Sequence, residues 1–510
     1  MRSKNAFRNL LFSLSYEVFV LALGLIVPRF IILSYGDSIN GLTTTINRLL
    51  TLINLVQAGA VGASIYQMYK PVANYDYETQ SAIMYSSKRF FRRMGCIYFA
   101  LAIVAATFSS FYLENDELKS LEIFLSFLVL AINGVLYFFF TSKFDIIFSS
   151  YQKRYLLNIS NFVERIVYYG LLFFVMLGKM HFVYMYLALL LGGISRVIVN
   201  SIFYYKLTRG KINNNPTNKK YVIKDRKYLM LSSIGGEAVA AAPTVIITYL
   251  LTNGMALSSV YSIYALVYTS MRTVINSLHL SVSAIFGNLV ATSEDEKIKG
   301  VFNVLVYIFV VLGAFLASCA AFLFLPFISL YTRGFTGISY YYPILAAFVV
   351  GYIILFSFRT VYGFVSTVYG LFKDTCKITL SVGCCAILVS IITTIVFGMP
   401  YVMVGVLLYH LLCAVLLIIV FKKKIKWFNF DKLVGRVILL VCLPYIMFAI
   451  SRTNIISIQS WGVWIVVAIL CAVVVGMILV LYSLCFERNE LKQVISYVKG
   501  LFLKKRKVNE

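Results

Sequence analysis

The sequence predicts an all-α, polytopic membrane protein of about fourteen transmembrane helices, and three observations carry that prediction. Of its 510 residues 61% are hydrophobic and only 13% charged, whereas a soluble domain carries roughly 25% charged residues. Apolar runs of about 20 residues recur from end to end, each long enough to cross ~30 Å of hydrocarbon. The basic residues between those runs are sorted onto alternate sides, as the positive-inside rule requires of a membrane protein.

The expected spans are 9–34, 40–68, 93–112, 120–141, 155–177, 182–205, 228–252, 257–286, 301–330, 342–369, 375–398, 401–421, 434–450 and 461–485. Several exceed 20 residues, so tilt or extension beyond the bilayer is expected. With the N-terminus in the cytoplasm, 36 Lys and Arg fall on the inside, counting Arg93, Lys377 and Arg436 at the inner ends of their spans, and 4 on the outside; the other six of the 46 lie deeper within spans. A bias of that size sets the orientation, because one miscounted span would scramble it. The expected location is therefore the cytoplasmic membrane, multi-pass, with both termini cytoplasmic. Glu17 interrupts the first apolar run and no small-residue cleavage site follows, so that run is read as a retained span rather than a signal peptide.

The net charge of +26 raises the question of nucleic acid. Its placement in short loops, without a basic folded face or a recognition motif, argues against such a partner. The basic tail Lys504-Lys505-Arg506-Lys507 is instead a contact for anionic membrane lipids at the inner leaflet. Nine Cys, among them Cys384, Cys385, Cys413, Cys442 and Cys471, sit mostly inside apolar runs without the spacing of a metal site. His181, His279 and His410 are far apart in sequence. No metal and no cofactor is expected, and no Gly-x-x-x-x-Gly-Lys-Ser/Thr phosphate loop is present to hydrolyse ATP.

Two lobes are expected. Residues 1–210 form an N-lobe of spans one to six, 211–227 a basic cytoplasmic linker containing Asn213-Asn214-Asn215-Pro216, and 228–425 a C-lobe of spans seven to twelve. Residues 426–510 add spans thirteen and fourteen and the tail. Spans one and seven each carry a mid-helix proline, Pro28 and Pro243, and one acid near the cytoplasmic start, Glu17 and Glu237. Spans two and eight each end in an acidic stretch, Asp76 and Glu78 or Glu294-Asp295-Glu296. Repeats with an even number of spans keep the same orientation, so the lobes would be related by an axis along the membrane normal.

The stretch Arg29-Phe30-Ile31-Ile32-Leu33-Ser34-Tyr35-Gly36-Asp37-Ser38-Ile39-Asn40-Gly41-Leu42 resembles the start of the Wzx-type polysaccharide repeat-unit flippases of Gram-positive bacteria. Tyr261-Ser262-Ile263-Tyr264 and the later Gly287-Asn288-Leu289-Val290-Ala291 resemble them too. The resemblance covers spans one to eleven and continues in hydropathy alone. It implies the fold of the multidrug/oligosaccharidyl-lipid/polysaccharide exporter superfamily, two pseudo-symmetric six-helix lobes around a central cavity plus two C-terminal helices. It also implies a substrate, an undecaprenyl-diphosphate-linked oligosaccharide moved from the inner to the outer leaflet for capsule or exopolysaccharide synthesis, with polysaccharide-assembly proteins as candidate partners.

A charged side chain at mid-membrane costs ~2.5–3.5 kcal/mol even on a lenient scale, so each needs a reason. Arg29, Arg48, Arg272 and Arg359 lie on spans one, two, eight and ten, drawn from both halves. They are expected to line one aqueous cavity and to hold the substrate diphosphate, because a guanidinium donates two parallel hydrogen bonds and stays charged. Arg196, near the cytoplasmic end of its span, is read as structural. Glu164 and Arg165 are adjacent and point to different sides of their helix. With Glu17 and Glu237 they are the candidates for coupling or gating. Most of the 37 Tyr and 41 Phe belong to packing and interfacial belts; Tyr261 and Tyr264 could stack on sugar.

The rivals within this fold are a cation-coupled drug exporter and a flippase for the peptidoglycan lipid precursor. Several cavity arginines disfavour the drug exporter. A membrane glycosyl polymerase, which needs an outward catalytic site on a substantial loop, fits poorly with outside loops of about ten residues or fewer, and the chain is read as no enzyme.

Overall fold

The computed structural model describes residues 2–57, 60–114, 118–213, 216, 226–292, 294–425, 432–452 and 458–496. All its regular elements are helices. Backbone polar groups within lipid must be satisfied inside the segment that carries them, and the helix does this for every residue. In chain order they are α1 (Arg2–Tyr35), α2 (Asp37–Asn54), α3 (Ala60–Ala73), α4 (Tyr77–Tyr112), α5 (Ser120–Leu136), α6 (Ser142–Ser150), α7 (Tyr155–Leu177) and α8 (Val183–Thr208). There follow α9 (Arg226–Leu250), α10 (Gly254–Thr292), α11 (Asp295–Tyr331), α12 (Pro343–Val368), α13 (Phe372–Phe397), α14 (Val402–Lys424), α15 (Leu433–Ser451) and α16 (Trp461–Phe486).

Each expected span coincides with one of these helices or with a broken pair. Among the described residues ten helical segments are long and apolar enough to cross a membrane, and Ala22–Tyr35 and Ile234–Leu250 are shorter apolar helices. The chain is a multi-pass membrane protein. The segments that fall short of the apolar criterion include α2, with Asn40, Thr43, Thr44, Thr45, Asn47 and Arg48, and α10, with Arg272 and His279.

Two helices extend well beyond the hydrophobic run that announces them. α4 starts at Tyr77, where the Asp76 carboxylate accepts a hydrogen bond from the Thr79 N–H at 2.9 Å, an N-cap that satisfies one orphan donor. This pairing holds the Asp76 carboxyl below its ordinary pKa. α11 starts at Asp295 with Asp295 and Glu296 in its first turn, where negative charge suits the helix dipole. Span two is interrupted: a 3-10 turn, Leu55–Gln57, ends α2, and Gln57 donates to the Asn54 side chain at 2.7 Å. Span four is continuous from Ser120 to Ser150 but contains a π turn, Tyr137–Thr141, between α5 and α6.

The chain divides into two compact units, Met1–Ser262 and Ile263–Glu510. In the first, α7 packs on α8 and α1, α4 and α8 pack on α5, α3 packs on α6, and α9 packs on α2. Its core includes Leu42, Ile46, Phe91, Phe127, Phe144 and Phe148, all buried. In the second unit α11 is central, flanked by α12, α15 and α16, while α13 pairs with α14. Gly313 permits the close approach of α11 and α12: a Cβ there would lie 2.5 Å from the Ser357 side chain. The last helix, α16, is fastened to α11 by Tyr307, whose hydroxyl donates to Ser483 Oγ at 2.7 Å, and by Trp464, whose Nε1 donates to the Leu323 carbonyl at 3.3 Å. At the start of α15 and the end of α16, Arg436 forms a two-pronged pair with Glu487 at 2.8 and 3.0 Å, and Lys432 reaches Glu490 at 2.7 Å. Most of the expected linker, residues 217–225, and the tail Lys504–Lys507 lie outside the described residues.

Candidate functional site

In the first unit the polar residues of α2 meet α9 and the start of α10. Asn40 donates to Ser259 Oγ at 2.7 Å and to Ser262 Oγ at 3.2 Å. Thr45 and Thr248 share a buried hydrogen bond of 2.7 Å. Between them the backbones touch: a Cβ on Gly41 would lie 1.8 Å from the Met255 carbonyl oxygen. α9 is also held to α4, where Ser109 and Tyr249 share a hydrogen bond of 2.6 Å. Small residues and short hydroxyls are the side chains that let membrane helices approach this closely. This seam lies toward the N-terminal end of α2. Its Asn40 and Gly41 belong to the motif of Arg29–Leu42; Thr45, Thr248 and Ser259 carried no signal in the sequence, since hydroxyl residues are common in membrane helices.

Of the predicted cations, Arg29 on α1 and Arg48 on α2 belong to this unit and are both half-buried. Glu164 and Arg165 diverge on α7. Glu164, buried, accepts a hydrogen bond from Arg196 of α8 at 2.9 Å, and Arg165 lies beside Tyr16 and Tyr169. A pair of this kind gives both charges a counterion inside the bundle, which accounts for Arg196 and for Glu164. One turn of the bundle away, Tyr137 in the π turn donates to Asp145 at 2.6 Å. Asp145 was missed in the sequence because span four is longer than its apolar run. Glu237 sits on α9, partly buried. The side chain of Glu17 lies outside the described residues.

In the second unit the structure brings Arg272 and Arg359 to one aromatic box. The Arg359 guanidinium donates to His410 Nδ1 at 3.3 Å and to the Tyr409 hydroxyl at 3.2 Å, and lies 4.7 Å from the Tyr409 ring centre. Arg272 lies 5.7 Å from the ring centre of Phe356. Phe356 in turn packs edge-on against His410, with ring centres 5.5 Å apart. Aromatic faces attract guanidinium through their quadrupoles, so the box helps to position two cations. A cation held this way keeps hydrogen-bonding capacity for an anion. Tyr261 and Tyr264, raised as sugar-stacking candidates, are both fully buried, and the Tyr264 hydroxyl donates to the Tyr340 carbonyl at 2.9 Å. They pack the fold.

Solved structures share this architecture. A lipid II flippase, MurJ, in an inward closed conformation superposes with a TM-score of 0.68 at 14% identity, over 94% of this chain and 99% of that one. The chain has the fold of a transporter. An inward-facing multidrug resistance MATE family transporter of the MOP superfamily agrees, with a TM-score of 0.63 at 12% identity, over 88% of this chain and 99% of that one. No family model and no curated protein matches the sequence. The two likenesses cover 94% and 88% of the chain, so the transporter fold accounts for most of it.

Proposed function

We propose that this protein is a lipid-linked oligosaccharide flippase that moves an undecaprenyl-diphosphate-linked repeat unit from the inner to the outer leaflet by alternating access, for capsule or exopolysaccharide assembly. The observation that carries the reading is the set of arginines on the helices of a fold shared with a lipid II flippase. Arg272 and Arg359 lie against aromatic rings, Arg359 also bonding a histidine, and a diphosphate is the anion whose oxygens would accept two-pronged hydrogen bonds from guanidinium groups. Arg29 and Arg48 would add charge along the same route. The polyprenyl tail would stay in the bilayer, as its apolar surface requires. Binding must differ between the inward and outward states, because a ligand that binds both equally shifts neither.

The test is transport in proteoliposomes with a fluorescent undecaprenyl-diphosphate-linked oligosaccharide. Arg359→Ala and Arg272→Ala are expected to lower the rate at least tenfold (~1.4 kcal/mol), and the Lys variants less, because Lys keeps the charge and loses the fork. Four Ala variants, of Arg29, Arg48, Arg272 and Arg359, that each transport normally at normal protein levels would overturn the reading. Equal transport of lipid II and the oligosaccharide would favour the peptidoglycan-precursor flippase, and cation-driven export of an organic cation the drug exporter.

A further inference from the structure

A cavity of about 670 Å³ opens in the first unit, and none of the arginines of the transport reading lines it. It lies among α4, α6, the end of α8 and the turn after it, and three lysines line it: Lys88, Lys143 and Lys211. None of its lining residues is acidic. Two of the lysines are held by aromatic rings. Lys143 Nζ lies 4.7 Å from the Phe144 ring centre and 5.5 Å from that of Tyr204, and Lys211 Nζ lies 5.0 Å from that of Tyr77. Three cations drawn toward one space repel each other, and a bound anion removes the repulsion.

The level of the cavity in the bilayer follows from α4. From Met94 to its end at Tyr112 that helix has no charged residue, a length of ~28 Å that matches the hydrocarbon core. Lys88 precedes Arg92 and Arg93 by about one turn, which puts it at ~8 Å beyond the hydrocarbon boundary, among headgroups. Arg89, Arg92 and Arg93 are exposed around it. The π turn of Tyr137–Thr141 matters here as well. One extra residue in a turn rotates everything downstream by about 100°, so α6 presents Lys143 to the cavity only because the turn is there.

We propose that this cavity binds the phosphate of an anionic phospholipid headgroup, with Lys88, Lys143 and Lys211 as its ligands. A free phosphate has the same chemistry; the headgroup level of the site favours the lipid, since basic pockets between membrane helices on the cytoplasmic side take anionic headgroups. The proposal does not depend on what the protein transports.

The test uses the full-length protein in nanodiscs of equal phosphatidylcholine and phosphatidylglycerol, with retained lipid counted by native mass spectrometry. Wild-type protein is expected to retain phosphatidylglycerol over phosphatidylcholine. The double variant Lys88→Gln with Lys143→Gln should lose that preference by about thirty-fold (~2 kcal/mol at 1.4 kcal/mol per tenfold). Lys88→Arg with Lys143→Arg should keep it, which separates charge from folding. Unfolding midpoints in phosphatidylcholine alone should match for all three proteins. Equal preference in wild type and the Gln variant would overturn the proposal. So would lysine-dependent binding of inorganic phosphate in phosphatidylcholine nanodiscs without any preference for phosphatidylglycerol, which would make the ligand a soluble anion.

Discussion

The ion-pair network joining α15 to α16 makes a quantitative prediction. Arg436 and Glu487 are 4% and 2% exposed and share hydrogen bonds of 2.8 and 3.0 Å. Removing one partner of a buried pair leaves an uncompensated charge, at a cost of about 3–5 kcal/mol. Arg436→Met leaves Glu487 with Lys432 at 3.3 Å, a half-exposed partner, so the loss should fall near the lower end, about 3 kcal/mol. Thermal unfolding in detergent should then show a midpoint lowered by at least ~3 °C. The double variant Arg436→Met with Glu487→Met replaces the pair by apolar packing and should recover most of the loss, since such replacements are often neutral. The pH dependence follows from the outer pair. Burial acts to raise the Glu490 carboxyl, but the bond and charge of Lys432, with hydrogen bonds from its own backbone and from Glu487, together outweigh that and leave its pKa below the ordinary 4.5. A lowered carboxylate stabilises the fold above 4.5 and loses that contribution as pH falls through the lowered value. Burial acts to lower Lys432, and Glu490 and Glu487 more than reverse it, raising its pKa above the ordinary 10.5. Its contribution is complete below 10.5 and fades as pH climbs through the raised value. Glu490→Gln should flatten the acid limb of the stability profile. An Arg436→Met protein as stable as wild type, or a double variant as weak as the single one, would refute this account.

Three further outcomes are expected. Reporter fusions at Asn214 and at the C-terminal tail should read cytoplasmic and one at Glu114 external; an external tail would mean that a span is wrong. Gly41→Val, which drives a side chain into the Met255 carbonyl, should cost about 1–3 kcal/mol of stability and loosen α2 from α10, read as faster hydrogen exchange along α2; unchanged exchange would mean the seam is not tight. Glu17→Gln and Glu237→Gln remove charge and keep shape, so loss of pH- or ion-gradient dependence in either variant would mark a coupling group, and normal gradient-driven export in both would end the coupling idea.

The helical membrane architecture was legible because its signal is long: a run of twenty apolar residues survives errors of several residues at either end. What hydropathy could not register were departures made by polar chain. The first turns of α4 and α11 carry Glu78, Asp295 and Glu296, which read as loop although they begin helices. The π turn at Tyr137–Thr141 is as apolar as the α-helix around it, so nothing marked it, and Lys143 and Asp145 were assigned to a loop. The arginines were legible one by one as charges in the wrong solvent. Their partners were not, because Arg359 finds Tyr409 and His410 some fifty residues away, and Glu164 finds Arg196 on the next helix. Arg436 passed for a loop cation for the same reason: it lies in the first turn of α15, and its counterion is at the far end of α16.

The interruption of the second span has a mechanical meaning. Its first part, α2, is clasped by α9 and α10 through Asn40, Gly41 and Thr45, while its second part, α3, rests mainly on α6 and α4, where Ser87 donates to Ser64 at 3.1 Å, and touches α9 as well. An unbroken rod would carry every displacement of one end to the other, and the two sets of neighbours would have to yield together. With the α-helical ladder giving way to a 3-10 turn at Leu55–Gln57, the rod has a joint at which its two parts can bend.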